Sequence, residues 1–291
     1  MVLSKIMPRR HPPQKPINPP RNPRPMLRPT YREDTPVILE RYIADTVEHA
    51  GAAGVVLGLS GGLDSCTVLA LCAKALGPKR VRCLHLPTAT TPREEREDAK
   101  AMAKKAGVKL DVVPIDDAVE SLAVLLRATE PELKGNLKAR VRMTILYHHA
   151  RKGNLLVVGT GNKSELLTGY FTKFGDGASD LNPLGDLYKT QVRQLAKDVG
   201  VPARIIGKPP TAALWKGQTD EGELGITYEL LDRILLGIEL GMDDDALAKA
   251  AEAPLGEVRR IRALNARTVH KRRLGLIPKM GTRTVGNDWR E

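Results

Sequence analysis

Short apolar runs alternate along the chain with longer segments in which apolar residues recur at helical spacing. The short runs are typical of buried parallel strands and fall at residues 55–59, 81–86, 108–115 and 155–159. The helical patterns lie around them, at residues 37–48, 65–76, 92–106, 117–128 and 136–151. Because strands and helices alternate, the pattern predicts an α/β fold: a doubly wound parallel sheet with right-handed crossovers and helices on both faces.

Polar residues and glycines predict where some of these helices begin and end. Asp34 precedes a proline at position 36 and is a suitable cap for the first helix. Thr91 and Glu94 have the spacing of a capping box, and Gly107 follows the last periodic residue of the same helix. We therefore expect side-chain caps at both helix starts.

The second half of the chain is dominated by one long loop and by helices. Residues 169–185 are rich in glycine, lysine and aspartate, and long loops of this kind often carry function. From residue 189 onward the pattern is mainly helical, and residues 243–251 and 255–268 predict a small C-terminal cluster of helices.

The formal net charge of +12 is concentrated at the N-terminus. Residues 1–32 contain no acid, and they hold eight of the excess basic residues: Lys5, Arg9, Arg10, Lys15, Arg21, Arg24, Arg28 and Arg32. This proline- and arginine-rich composition predicts a disordered basic tail over 1–33, followed by a folded domain over 34–275 and a C-terminal segment over 276–291. The tail is either a solvated extension or a site for RNA, an acidic partner or a membrane surface.

The three cysteines form neither a CxxC pair nor a metal-ligand pattern. Cys66, Cys72 and Cys83 all lie in apolar surroundings, so we expect buried thiols, with a reactive cysteine as the alternative. The absence of a disulfide framework, of an apolar run of membrane length and of a signal-peptide pattern favours the cytoplasm and no membrane partner.

One motif lies between the first predicted strand and the helix after it: Ser60, Gly61, Gly62, Leu63, Asp64 and Ser65. Small residues leave the backbone N–H groups accessible, and the helix N-terminus favours an anion, so this loop can hold a polyphosphate. A carboxylate beside phosphates repels them unless a divalent cation lies between, and Mg²⁺ takes oxygen ligands from both. The motif lacks the lysine of the GxxxxGK[ST] loop. A simple helix entry is the structural alternative.

The motif resembles the SGGxDS loop of the PP-loop ATP pyrophosphatases, which cleave ATP between its α and β phosphates. Further segments resemble the ammonia-dependent NAD synthetases of that superfamily; they cover residues 158–165, 169–176, 182–184, 188–192, 218–225 and 270–272. The resemblance implies an adenine-nucleotide alpha-hydrolase-like fold and a ligase reaction. In that reaction ATP adenylates the carboxylate of deamido-NAD, and ammonia then displaces AMP.

The resemblance also implies roles for particular residues. The ATP-binding residues would be Gly58, Leu59, Ser60, Gly61, Gly62, Leu63, Asp64, Ser65, Thr160, Lys189 and Thr211. Asp64 and Glu165 would bind Mg²⁺, and Lys189 would stabilise charge on the departing pyrophosphate. The deamido-NAD residues would be Arg140, Lys173, Asp180, His270 and Lys271. Taken singly, each of these residues also fits an ordinary surface position.

Asp176 is expected to act as the base for ammonia. Only neutral ammonia is nucleophilic and most of it is protonated near pH 7, so a carboxylate that accepts a proton has a function there. A turn-forming aspartate between Gly175 and Gly177 would look the same in sequence.

The resemblance implies a homodimer with deamido-NAD near the subunit interface. The residues before position 35 are too few for a glutamine amidase domain, so free ammonia is the expected nitrogen source. Two other hypotheses remain at this point. One is a PP-loop enzyme that modifies tRNA, and the other is an RNA-binding protein that retains a nucleotide site and uses its basic tail.

Overall fold

The computed structural model describes residues 27–211, 214–215 and 217–285 of the 291-residue chain. The strands are β1 Gly54–Gly58, β2 Val81–His85, β3 Leu110–Val112 and β4 Leu155–Val157. The helices are α1 Thr35–His49, α2 Leu63–Leu76, α3 Arg93–Ala106, α4 Asp116–Leu126, α5 Pro131–Gly153, α6 Lys163–Thr168, α7 Lys189–Asp198, α8 Ala203–Ile206, α9 Asp220–Leu224, α10 Tyr228–Glu239, α11 Asp244–Ala251 and α12 Leu255–Arg267. Within these ranges no helix combines the length and apolar character needed to cross a membrane.

The four strands form one parallel sheet in the order β3-β2-β1-β4. Val55 of β1 lies opposite Val81 on one side and Leu156 on the other. The chain moves outward from β1 through β2 and β3 and then returns to place β4 on the other side of β1. Open α/β sheets bind ligands at such a reversal, beyond the carboxyl ends of the strands. The predicted parallel α/β fold is confirmed.

Successive residues of β1 enter two different cores because side chains alternate between the faces of a strand. Val55 and Leu57 pack in a core that includes residues of α1, α2, α3 and α7. Val56 packs on the opposite face, against a core with residues of α4 and α5. Burial on both faces explains why the strand is a continuous apolar run, and it places helices on both sides of the sheet.

A separate helical core lies at the C-terminal end of the domain. Helices α10, α11 and α12 pack around buried Leu231, Leu247 and Ile261, and Tyr228 is fully buried among them. This arrangement confirms the predicted C-terminal helical cluster. It also contacts α6 and α7, which carry residues of the site described below.

The end of the predicted tail lies against the domain. Tyr31 packs on the core of the sheet, and its hydroxyl donates a hydrogen bond to Asp198 at 2.6 Å. Leu27 packs on the C-terminal helices, and Gln191 donates to the Thr30 carbonyl at 2.7 Å. Leu27 and Tyr31 therefore hold this end of the predicted tail on the domain. The rest of the predicted tail, residues 1–26, lies outside the described residues.

Neither side-chain cap predicted from the sequence forms. The Asp34 carboxylate pairs with Arg32 instead of the first turn of α1. Helix α3 begins after Pro92, with no side-chain cap, and the Thr91 hydroxyl accepts a hydrogen bond from the Thr88 amide at 2.9 Å. Both predictions were wrong because a partner within three residues competes for the capping group.

Strand β3 is shorter than its apolar run. The run covers residues 108–115, but only Leu110–Val112 pair with the sheet, opposite residues 83–85 of β2. Val108 and Ile115 are buried outside the strand, at the ends of neighbouring helices. The apolar pattern therefore reflects burial, which extends further along the chain than the hydrogen-bonded pairing of the strand.

Candidate nucleotide-binding site

A cavity of about 740 Å³ lies at the carboxyl ends of β1, β2 and β4. Its volume is in the range of small-molecule and cofactor sites. Of the residues expected to bind ligands, those on its wall are Gly58, Leu59, Ser60, Gly61, Gly62, Leu63, Asp64, Ser65, Thr160, Glu165, Asp176, Lys189, Thr211 and Lys271. Those that do not reach the wall are Arg140, Lys173, Asp180 and His270.

The loop after β1 requires glycine at one position for two reasons. Gly61 has φ +94°, a conformation that side-chain-bearing residues rarely adopt. A Cβ atom added there would overlap the carbonyl oxygen of Glu95 on α3. The loop therefore packs its backbone directly on α3 while its other edge faces the cavity.

The start of α2 presents donors to the same cavity. Gly62 occupies the N-cap position and supplies no side chain to the first turn. The Ser60 and Ser65 hydroxyls lie 3.0 Å apart, and the Gly62 amide donates to Ser60 Oγ at 3.2 Å. Uncapped N–H groups, hydroxyls and the positive end of the helix dipole together suit a bound phosphate.

Lys189 joins the two carboxylates predicted to bind metal. Its ammonium group contacts Asp64 Oδ2 and lies 3.5 Å from Glu165 Oε1. The lysine side chain is 3% exposed, and the carboxylates are 18% and 16% exposed. Asp64 comes from the start of α2, Glu165 from α6 and Lys189 from the start of α7, so three segments converge on one point.

Burial and opposite charge act on this cluster together. Burial removes water from the Lys189 ammonium and opposes its charge, but Asp64 and Glu165 outweigh that effect and raise the Lys189 pKa. Burial also raises the pKa of Glu165, while Lys189 acts in the opposite direction. The lysine is therefore a fixed cation beside two carboxylates.

The cluster fits a hard divalent cation. Asp64 and Glu165 both contact the Lys189 ammonium, so their oxygens converge, and Mg²⁺ prefers such ligands. One Glu165 oxygen accepts from the Asn162 amide at 3.2 Å and the other faces Lys189. The described part of the chain contains no group of three or more His, Cys, Asp or Glu that could hold a metal, so phosphate and water oxygens would complete the coordination.

A buried aspartate that the sequence analysis did not single out positions this cluster. Asp232 on α10 is fully buried and accepts hydrogen bonds from the Ser164 hydroxyl at 2.5 Å and from the Thr190 amide at 2.9 Å. Ser164 precedes Glu165 and in turn accepts from the Lys189 amide at 2.9 Å. The signal in the sequence was an acid on the apolar face of a helix.

Asp176 and Thr211 both lie on the cavity wall. Asp176 Oδ1 accepts from the Thr172 amide at 3.0 Å. The carboxylate is open to the cavity but otherwise surrounded by protein, and this loss of water raises its pKa against the effect of the Thr172 hydrogen bonds. Thr211 donates to the Gln218 carbonyl at 2.7 Å.

Four residues predicted to bind deamido-NAD form a basic group at the rim of the cavity. Arg140 on α5 donates to the Lys173 carbonyl at 3.4 Å, and Lys173 donates to the His270 carbonyl at 2.7 Å. Lys271 contacts the Gly169 carbonyl and lies over the Phe171 ring, 4.9 Å from its centroid. The structure therefore brings Arg140, Lys173, His270 and Lys271 together, although only Lys271 reaches the wall.

Asp180, the fifth of these residues, does not join the basic group. Its carboxylate accepts from the Val157 amide at 2.7 Å and from the Tyr147 hydroxyl at 3.2 Å. Through these two hydrogen bonds the Asp180 carboxylate joins the end of β4 to the Tyr147 side chain of α5.

Two wall residues were missed because nothing local distinguishes them. His85, at the end of β2, is 3% exposed, and its Nδ1 lies 2.8 Å from the Leu59 carbonyl. Burial lowers the His85 pKa and favours the neutral ring. Arg142 donates to the Leu86 carbonyl at 3.0 Å and faces the cavity from α5.

The parallel sheet, the glycine-rich loop and the converging charged groups define an α/β protein with a polyphosphate-type binding site. The model of the NAD synthase family matches residues 37–275, and the chain belongs to this family. A protein of Hyperthermus butylicus named NH(3)-dependent NAD(+) synthetase is 48% identical over 243 residues, which cover 82% of this chain and 88% of that protein. A protein of Methanocaldococcus jannaschii with the same name is 45% identical over 246 residues, which cover 83% of this chain and 95% of that protein.

Solved structures agree with this assignment. The NMN synthetase from Francisella tularensis has a TM-score of 0.75 and 36% identity, covering 85% of this chain and 98% of that one. The NH3-dependent NAD synthetase from Campylobacter jejuni, in complex with nitrate, has a TM-score of 0.73 and 29% identity with the same coverages. The similarity thus spans nearly the whole length of these two structures.

Proposed function

We propose that this chain catalyses the ATP-dependent amidation of deamido-NAD to NAD with ammonia, through an acyl-adenylate, releasing AMP and pyrophosphate. The observation that carries the proposal is the Lys189, Asp64 and Glu165 cluster beside the glycine-rich loop, in the same cavity as Asp176. The relatives named NH(3)-dependent NAD(+) synthetase support the choice of substrates.

The reaction has two steps, adenylation and amidation, and different residues act in each. In the first, the amides of the loop and the hydroxyls of Ser60 and Ser65 hold the phosphates, and Lys189 stabilises the charge that develops on pyrophosphate. Asp64 and Glu165 would hold Mg²⁺, which when bound neutralises phosphate charge. In the second, Asp176 accepts a proton as the nitrogen attacks, and AMP replaces oxide as the leaving group.

The deamido-NAD roles assigned to Arg140, Lys173, Asp180, His270 and Lys271 form part of this proposal. The basic rim group suits a dinucleotide that carries phosphates and a carboxylate. Asp180 would take part through the oxygen lone pairs that its hydrogen bonds with Val157 and Tyr147 leave unused.

A homodimer is the partner state that we propose. The face formed by the end of α4 and the start of α5 exposes Val124, Leu125, Leu126 and Leu133, and Leu125 is 75% exposed. A contiguous group of exposed aliphatic residues commonly marks a protein interface. Arg140 lies further along α5, so an interface there would adjoin the basic rim. Free, buried cysteines are consistent with the cytoplasm that we propose as its location.

A smaller acceptor is the second candidate, because one structural neighbour is an NMN synthetase. Such an enzyme would amidate the mononucleotide rather than the dinucleotide. The reaction at the nicotinate carboxylate would be the same for both acceptors. The acceptors differ because deamido-NAD carries an additional AMP unit, which the site must also bind.

The test is product formation from ATP, Mg²⁺ and either deamido-NAD or nicotinate mononucleotide, with ammonium or glutamine as the nitrogen source. We expect NAD and an equal amount of AMP from deamido-NAD and ammonium. Preference for the mononucleotide would favour the second candidate. Cleavage of ATP to AMP without either amide would direct attention to another acceptor, beginning with tRNA.

A further inference from the structure

The aromatic ring of Tyr228 lies beneath the ammonium group of Lys189. Tyr228 is the first residue of α10 and is fully buried, and Lys189 Nζ lies 5.3 Å from the centroid of its ring. A cation at such a distance from an aromatic face is attracted by the electrons of the ring, most strongly where water is excluded. The Lys189 side chain is 3% exposed, so water weakens this contact little.

Helix α9 holds Tyr228 at both ends of the residue. The Tyr228 hydroxyl donates a hydrogen bond to Asp220 Oδ2 at 3.1 Å, and the Tyr228 amide donates to Glu221 Oε1 at 2.9 Å. Tyr228 also packs within the apolar core of the C-terminal helices. Because its backbone, its hydroxyl and its apolar surface are all engaged, the ring has a fixed position under the lysine.

The carboxylates that contact Lys189 have a second proposed partner. Asp64 and Glu165 hold the ammonium group in this structure, and both are proposed to bind Mg²⁺, which takes oxygen ligands. Carboxylates that also ligate a divalent cation hold a neighbouring ammonium group less firmly, because the two cations share their negative charge. An aromatic ring is not a ligand for Mg²⁺. The contact with Tyr228 therefore persists when the metal and the phosphates are bound.

We propose that Tyr228 is a positioning residue for Lys189, and that its ring keeps the ammonium group directed at the departing pyrophosphate during adenylation. The inference rests on the proposed function, in which Lys189 stabilises the charge that develops on pyrophosphate. The Tyr228 hydroxyl has a separate, structural role, because it supplies a donor to the buried Asp220 carboxylate.

The electrons of the ring can be changed while its shape is kept. Tyr228→Phe retains the ring and removes the hydroxyl, and Tyr228→trifluorophenylalanine retains a ring of similar shape from which fluorine withdraws electrons. The assay is exchange of labelled pyrophosphate into ATP, dependent on deamido-NAD and free of ammonium. This exchange measures adenylation, and kcat and KM for ATP are determined separately.

The expected effect is on kcat. Tyr228→Phe should keep kcat within about threefold, and the trifluorinated variant should lower it about tenfold further, as for the loss of a cation–π contact that is shielded from water. KM for ATP should change by less than about twofold in both variants, because Lys189 acts on charge that develops during the reaction. A merely structural role would not depend on the electrons of the ring.

Tyr188 provides a matched control. Its ring lies under Lys163, with Nζ 5.0 Å from the centroid, and its hydroxyl donates to Glu239 at 2.6 Å. Tyr188 and Lys163 both lie off the wall of the main cavity. The same two substitutions at Tyr188 should therefore leave kcat within about twofold, because the cation above that ring does not face the phosphates.

A double-mutant cycle separates positioning from support of the fold. Tyr228→Leu removes the ring, and its effect on kcat should be about tenfold smaller in a Lys189→Ala background, where the contact is already lost. Equal effects of Tyr228→Leu in both backgrounds would overturn the positioning role. Equal kcat in Tyr228→Phe and the trifluorinated variant would also overturn it, and this comparison decides the matter if Tyr228→Leu does not fold. Absence of exchange in the unmodified chain would instead contradict the proposed adenylation, and the role of Tyr228 with it.

Discussion

Lys189 shows how a single side chain can combine structural and chemical roles. It is nearly inaccessible to solvent, yet it lies on the wall of the main cavity between two carboxylates. Without a ligand it balances their negative charge. With phosphates in the cavity the same cation is positioned to stabilise the leaving pyrophosphate.

Replacing this lysine tests that role. Lys189→Ala is expected to lower kcat/KM by about 10²- to 10³-fold, because removing one preorganised group that stabilises transition-state charge has effects of this size. The measurement is pyrophosphate exchange and NAD formation. Lys74→Ala is the control, since Lys74 pairs with Glu40 on a helix surface and should retain activity. A loss below about threefold in Lys189→Ala would contradict its proposed role.

The glycine-rich loop offers a test based on backbone geometry. Gly61→Ala is expected to reduce ATP-dependent activity by about 10²-fold, since the added Cβ would displace the loop from α3, and displacements near 1 Å have such effects. Gly51→Ala is the matched control. Gly51 also has positive φ, at +60°, but a Cβ there has nothing within 4 Å. Equal activity in the two variants would show that contact with α3 is unimportant.

At the scale of elements, α10 positions two other helices through one buried carboxylate. Asp232 accepts hydrogen bonds from α6 and α7, and these helices carry Glu165 and Lys189. Burial raises the Asp232 pKa, and the hydrogen bonds from Ser164 and Thr190 oppose that rise. The C-terminal helical cluster is therefore a support for the site as well as a separate core.

Removing the charge of Asp232 should loosen this support. Asp232→Asn is expected to lower the free energy of unfolding by about 1–3 kcal/mol, because the new NH₂ group cannot accept from Ser164 or Thr190. Chemical denaturation measures the change. Glu229→Gln, on the same helix but exposed, should change it by less than about 0.5 kcal/mol. Matching effects in the two variants would argue against the bridging role.

At the scale of the whole molecule, α4 and α5 expose aliphatic side chains to solvent, and a dimer interface would bury them. Leu125→Glu should convert a dimer into a monomer, since a buried, unpaired carboxylate would oppose association. Light scattering measures the mass. Glu48→Gln, at an exposed position of α1, is the control and should leave it unchanged. A monomeric unmodified chain would remove the dimer from the proposal.

The role of the basic tail can be tested by a truncation that ends before the first residue in contact with the domain. Removal of residues 1–26 should leave NAD formation within about twofold, because Leu27 and Tyr31, which contact the domain, are retained. Binding of RNA by the full and shortened chains, compared across salt concentrations, tests the nucleic-acid hypothesis. Loss of RNA binding with intact synthesis would assign the tail a separate function. A large loss of synthesis would assign it a catalytic one.

The sequence by itself determined the elements and the location of the phosphate loop. Strand runs such as residues 55–59 are apolar because both sheet faces are covered, and Ser60 to Ser65 follow the first strand directly. These signals survive in the sequence because they depend on neighbours within a few positions. The family resemblance added candidate residues, and the cavity wall includes most of them.

Only the tertiary structure decided which of those side chains meet. Asp64 and Lys189 are 125 positions apart, and Asp232 acts on residues of two other helices. Such contacts depend on how helices pack, and no local pattern encodes them. The same reason places Arg140 off the cavity wall, although Lys271, which the resemblance assigns to the same ligand, reaches it.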